Sequence, residues 1–200
     1  MDITQLILDD HHEQRRLFAI LEQIDRTDTA SLGAVWARLA AFLEVHAEAE
    51  EELFYPELLR LGRGAAGIDP EAETEDAIHD HNEIRDAVAA VAMAVAEHPV
   101  GSDEWYRAVA RANEANSDHM AEEEREGLTD FRRHVDLAER HDLAVAFAAF
   151  EARHVTGVTP VDKDPEEYVR RIENEIEATD GAGEPDLSLR IGQWGGAAPA

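Results

Sequence analysis

Apolar residues recur along this chain at intervals of three and four, and no stretch sustains the two-residue alternation of β-branched side chains that marks a half-buried strand. The spacing predicts a helix from Ile3 to about Thr27, ended by the polar run Arg26-Thr27-Asp28-Thr29. A second helix, capped by Ser31 or Thr29, runs through Trp36, Leu39, Phe42 and Leu43 to Leu61, where Gly62, Gly64 and Gly67 stop it. Pro56 inside it predicts a kink and a lost backbone bond. A third helix spans about Pro70 to Glu97 and breaks at His98-Pro99-Val100-Gly101. Ser102 or Asp103 caps a fourth, from about Glu104 to His134, and a shorter fifth, rich in alanine and phenylalanine, occupies Asp136 to about His154. Beyond Val155 prolines and glycines punctuate a mostly polar segment with one short helical pattern at Pro165 to Ala178.

Four consecutive long helices with short connections predict an all-α protein, an up-down-up-down four-helix bundle with a short fifth helix and an irregular C-terminal tail. Residues 1–154 form the bundle with its additional helix; residues 155–200 form the tail, disordered or laid along the outside. Trp194 and the segment Leu187-Ser188-Leu189-Arg190-Ile191 give the end of that tail an apolar surface with which to dock.

Histidines interrupt the apolar stripes at comparable places. Ile7, His11, Gln14, Phe18 and Leu21 share one face of the first helix, and Leu39, Phe42, Leu43, His46, Glu50 and Leu53 share a face of the second. In the third the stripe is Ala77, His81, Ile84, Val88, Val91 and Val95; in the fourth it is Trp105, Val109, Ala112, Asn116, His119 and Glu123, with Glu124 one position around. Each helix thus turns one histidine inward, and two add a glutamate one turn later. His12, His79, His98, His134, His141 and His154 fall on outer faces or in loops, although His79 has Glu75 and Glu83 one turn to either side.

An internal repeat runs through the same residues. Asp10-His11 matches Asp80-His81, and His46-Ala47-Glu48-Ala49-Glu50-Glu51-Glu52 matches His119-Met120-Ala121-Glu122-Glu123-Glu124. Two helix pairs related by a pseudo-twofold bring four imidazoles and two carboxylates to one place, the pattern of a dinuclear metal site. A single buried histidine is ordinarily a hydrogen-bonded core residue; a set of this size without a metal leaves several buried ionisable groups poorly partnered, at about 1–3 kcal/mol each.

Composition narrows the chemistry. Among 200 residues there are 45 acidic and 18 basic side chains, a net charge of −27, ten histidines and no cysteine. Such a field disfavours nucleic acid and anionic membrane surfaces as partners. Thiolate ligands, iron–sulfur clusters and thiol nucleophiles are excluded, leaving the imidazole and oxygen donors that suit non-haem iron, manganese or zinc. No basic leader precedes an apolar run and no apolar stretch approaches bilayer length, so the cytoplasm is the expected location.

With Asp10-His11 followed by Leu17-Phe18, His46-x3-Glu50-Glu51 followed by Leu53-Phe54-Tyr55-Pro56, Asp80-His81 followed by Ile84-Arg85, and His119-x3-Glu123-Glu124, the chain resembles bacterial hemerythrin-like proteins with the HHE cation-binding domain over about residues 3 to 134. The resemblance implies a four-helix bundle around two iron ions, oxo- or hydroxo-bridged. Its ligands would be His11, His46, Glu50, His81 and His119 with either Glu123 or Glu124: oxygen carriers place the last carboxylate five after the histidine, at Glu124, whereas helical phase favours Glu123. Oxygen carriers also have two histidines four apart on the third helix, and here the position four before His81 is Ala77. That departure favours redox chemistry or iron sensing over oxygen carriage. The expected ligand is a small oxidant (dioxygen, hydrogen peroxide or nitric oxide), bound or turned over, with catalase-like peroxide disproportionation as the enzymatic version and an iron- or oxygen-responsive module as the alternative. Tyr55 has either a core role or a redox or hydrogen-bonding role at the centre, and Arg15, Arg16 and Arg85 are expected to neutralise surface glutamates across helices.

Overall fold

Side-chain oxygens placed just ahead of each apolar stripe set the helix starts. In the computed structural model, which describes residues 1–180, Asp2 accepts from the Thr4 N–H and opens α1 (Ile3–Gln23). Asp28 accepts from the Ser31 N–H and opens α2 (Thr29–Ala49), so the cap lies one residue ahead of the expected Thr29 or Ser31. Asp69 and Ser102 do the same for α4 (Pro70–Glu97) and α5 (Asp103–Arg125), and Asp136 for α7 (Leu137–Arg153). α1 ends four residues before Thr27 because Asp25 accepts both the N–H and the hydroxyl of Thr27, drawing the chain into a turn.

Two expected long helices are interrupted. α2 passes into a π-helical turn, Glu50–Phe54, before α3 (Tyr55–Leu61) resumes. Pro56 is the reason: it lacks an N–H and its ring would meet the carbonyl four residues back, so the wider turn delivers it into the first turn of a new helix, where proline is tolerated. The fourth stripe is split into α5 and α6 (Gly127–His134) at Glu126, whose φ and ψ of −109° and −85° leave the helical region. The Gly127 N–H, at the break, donates to Glu73 Oε1 on α4 at 3.0 Å.

All regular elements among the described residues are helical, and none of these helices is long and apolar enough to cross a membrane. α1 packs on α2 and α4 on α5, making a helical bundle. α7 lies against α1 and α2, while α8 (Pro165–Asp180) lies against α3 and α4 and buries Tyr168, Val169 and Ile172 in the core. Trp194 and the 187–191 segment lie outside the described residues.

The interior is divided. One apolar cluster gathers Leu17, Phe18, Trp36, Val88, Val91 and Trp105 with their neighbours; the other gathers Ile3, Ile7, Phe54, Leu58, Phe131 and Phe147 with the α8 side chains. Fully burying each such side chain contributes about 1.5–3 kcal/mol. Val95, placed on the inward stripe by its spacing, is 44% exposed, because α4 outruns the cluster near its end. Between the clusters lies a layer of buried polar side chains, His11, Gln14, His46, Glu50, His81, Asn116, His119 and Glu123.

Candidate metal centre

Each stripe delivers its histidine to this polar layer, and the imidazoles meet there. His11, His46 and Glu50 bring one ligating atom each within 4.8 Å of one another, and so do Glu50, His81 and His119. The shared Glu50 is fully buried; its Oε1 lies 2.9 Å from His46 Nε2 and its Oε2 lies 3.3 Å from His81 Nε2. His81 Nε2 and His119 Nε2 face each other at 3.1 Å, and His11 Nε2 lies 3.4 Å from Glu123 Oε2.

These separations suit a common cation. Two donors about 2.1 Å from one ion, at angles of about 90–109°, sit about 3.0–3.4 Å apart. Five of the atoms, His11 Nε2, His46 Nε2, both oxygens of Glu50 and Glu123 Oε2, are buried and make no hydrogen bond. Groups of this kind cost about 1–3 kcal/mol each when left unsatisfied, and a metal ion satisfies imidazole lone pairs and carboxylates together. The donor set, nitrogen and oxygen without sulfur, fits iron, manganese or zinc.

The outward nitrogens complete the arrangement. Nδ1 of His81 meets Glu51 Oε1 at 2.8 Å and Nδ1 of His11 meets Glu124 Oε1 at 3.0 Å; Nδ1 of His46 lies 3.4 Å from Asp10 and Nδ1 of His119 lies 3.5 Å from Asp80. Every imidazole therefore has a carboxylate behind it, which presents Nε2 to the interior. The repeat in the sequence is a repeat in this geometry: Asp10 and Asp80 serve the histidine of the neighbouring helix, and Glu51 and Glu124 serve a histidine of the other half. Of the two candidates on α5, Glu123 faces the interior at 1% exposure, whereas the Glu124 side chain, 29% exposed, sits behind His11 and also accepts from Arg15 at 2.7 Å.

Electrostatics follow from burial and pairing. Burial opposes charge on His81, but Glu50 and Glu51 outweigh it and lift the imidazole to about 9; His11 and His46 are raised in the same sense. Burial would lift Glu51, yet His81, Arg85 and Lys163 hold it at about 2, and Glu50 is held well below the carboxylate range by His46 and His81. The His11 hydrogen bond, with Arg15, brings Glu124 to about 2. Glu151 on α7, near Asp10 and His46, is pushed up to about 7 by burial and by Asp10.

His79 does not join the cluster; its side chain is 64% exposed, 3.4 Å from Glu83. The other five histidines also lie at the exposed or half-buried surface. Arg15 reaches a glutamate as expected, but Arg16 pairs with Glu13 within α1, and Arg85 is buried rather than superficial, donating to Glu51 at 2.7 Å. Tyr55 is fully buried and donates to Glu123 Oε1 at 3.1 Å, so its core and hydrogen-bonding roles coincide. Glu73, Glu151, Lys163 and Tyr168 carry no spacing signal that marks them as neighbours of the site; for Glu151 and Tyr168, burial on a helix packed against the bundle is what brings them there.

A helical bundle whose polar layer presents imidazoles and carboxylates with unsatisfied lone pairs is a metal-binding bundle. Residues 2–130 match the family model of the hemerythrin HHE cation binding domain, and the chain belongs to that family of cation-binding domains. Neither a curated protein sequence nor a solved structure shows significant similarity to it.

Proposed function

We propose that the protein holds two iron ions in an up-down-up-down bundle formed by α1, α2 with α3, α4, and α5, and that the pair binds or reduces a small oxidant: dioxygen, hydrogen peroxide or nitric oxide. The observation that carries this reading is Glu50, whose two oxygens face different histidine triads. A carboxylate so placed would offer one oxygen to a cation on each side. His11 and His46 would hold one and His81 and His119 the other, with Glu123 on the His11 side. Iron in such a nitrogen and oxygen set supplies one-electron redox chemistry and an affinity for small oxidants.

The protein's own groups set the conditions for it. Asp10, Glu51, Asp80 and Glu124 orient the imidazoles. Tyr55 offers the Glu123 carboxylate a hydroxyl proton from a site without solvent. Above and below, the two apolar clusters exclude bulk water. A crevice of ≈ 10 Å³ runs from the exposed Asp76 and Glu122 past Ala77 to His119 and Glu123, room for about one water-sized molecule. Ala77 lines that crevice, where a histidine side chain would take up room that alanine leaves open.

Iron stoichiometry of the aerobically purified protein, with visible spectra before and after dioxygen, peroxide and nitric oxide, tests the reading. Two irons per chain and a spectrum that responds to one of these molecules are expected. Iron-free protein that takes up no iron from an anaerobic ferrous solution overturns it. Oxygen evolution from peroxide separates turnover from binding.

A further inference from the structure

The family match ends at residue 130, and the chain beyond it returns to the centre. The connection between α7 and α8 passes over α4, where Asn82, the residue after His81, clamps it with two hydrogen bonds: Asn82 Nδ2 donates to the Lys163 carbonyl at 2.7 Å and the Lys163 N–H donates to Asn82 Oδ1 at 3.1 Å. The Lys163 ammonium then reaches Glu51 Oε2, and Glu48 at 3.2 Å. Glu51 is the carboxylate behind His81, and its other oxygen accepts from His81 Nδ1 and from Arg85. One turn into α8, the Tyr168 hydroxyl donates to the main-chain carbonyl of Glu51. That carbonyl lies in the π-helical turn, and the donor its five-residue register offers belongs to position 56, a proline. The strap thus grips Glu51 by side chain and main chain.

We propose that Lys163, backed by Tyr168, is a positioning residue of the metal centre: by fixing Glu51 it fixes His81, and it makes the His81–His119–Glu50 triad the tighter of the two cation sites. The proposal rests on the reading of the cluster as a metal site. Its support is an asymmetry. The repeat makes Glu51 and Glu124 equivalent, yet Glu51 is 1% exposed under the strap while the Glu124 side chain is 29% exposed and held by Arg15 from α1. Two copies of one sequence motif become unequal sites because residues 163–172 cover only one. Linkage makes the effect reciprocal, so cation binding must tighten the docking of α8.

The test titrates the full-length metal-free protein with Co(II), following its visible absorption, and measures amide hydrogen exchange along α8 with and without the metal. Wild-type protein should bind in two phases, with exchange in α8 slowed on loading. Lys163→Met should weaken the tighter phase about 10–100-fold, alter its absorption band and abolish the slowing. Lys163→Arg should restore most of the affinity. Tyr168→Phe, which keeps the buried ring and so the docked helix, should weaken the same phase and serves if Lys163→Met does not fold. Wild-type affinity in both Lys163→Met and Tyr168→Phe, or equal losses in Lys163→Arg and Lys163→Met, overturns the proposal and leaves the metal reading intact. Failure of the wild-type protein to bind Co(II) or Fe(II) at all overturns both.

Discussion

Raising the pH of the metal-free protein from 6 to 9 is expected to loosen it. Burial alone would lower the pKa of the His81 imidazole, but Glu50 and Glu51 lift it from 6.5 to about 9. A group whose folded pKa lies above its unfolded value gives its full stabilisation below the unfolded value and loses it as pH climbs through the folded one, so the window is 6.5 to about 9. The difference corresponds to ~3 kcal/mol at 1.36 kcal/mol per pH unit, for a side chain with no solvent to screen it. His11 and His46 are raised as well and add in the same direction. Glu51 does not offset this: held at about 2 against 4.5, it stabilises above pH 4.5 and is lost only as pH falls through 2. Thermal unfolding of chelator-treated protein, followed by circular dichroism at pH 6, 7, 8 and 9, should show Tm falling by about 6–12 °C. The same protons must leave when a cation enters, so loading at pH 7 should release protons and affinity should rise across that interval. A Tm that stays level or rises between pH 6.5 and 9 would refute the assignment of a charged imidazole pinned between Glu50 and Glu51.

Glu50→Ala should remove metal from both triads, whereas His119→Ala should spare the His11–His46 side; metal analysis after dialysis checks this, and two ions retained by Glu50→Ala would contradict the shared carboxylate. Glu123→Ala should change the spectrum of the bound metal, while Glu124→Gln should keep the spectrum and stoichiometry and lose affinity about tenfold, since that group acts only through His11; the opposite ranking would reverse their roles. Phe147, fully buried with its ring centroid 5.9 Å from that of His46, should cost about 3–5 kcal/mol in urea unfolding when replaced by alanine, and a cost below about 1 kcal/mol would show that the wall beside His46 is not packed as described.

Much of this centre is legible in the amino-acid sequence. The three-and-four spacing puts His11, His46, His81 and His119 on inward faces, and Glu50 follows His46 by one helical turn, so periodicity alone converges them. Helical phase favours Glu123 over Glu124, but the two residues are only about 100° apart, and what Glu124 does from its half-exposed position depends on where α1 sits. The outer carboxylates are visible as residues but not as pairs: Glu51 serves a histidine 30 positions away and Glu124 one 113 positions away, separations no local pattern reports. The breaks at Glu50–Phe54 and Glu126 are hidden for different reasons. Pro56 announces a disturbance without saying that a π-helical turn absorbs it, and the second break depends on a contact with Glu73 that exists only in three dimensions. α8 is legible as a helix, but its docking depends on Tyr168, Val169 and Ile172 finding the far cluster, and on an asparagine beside His81.

Two of the four outer carboxylates cross between halves, and this bears on how the molecule could be taken apart. Glu51 of the first half orients His81 of the second, and Glu124 of the second orients His11 of the first. Neither half can build a finished centre for itself. The chain is in effect an intramolecular dimer, with residues 62–69 as a tether that keeps the partners at high effective concentration. Cut within that tether, the two fragments would still carry complementary halves of every imidazole–carboxylate pair that spans them, and a cation shared through Glu50 would work as the clasp that rejoins them.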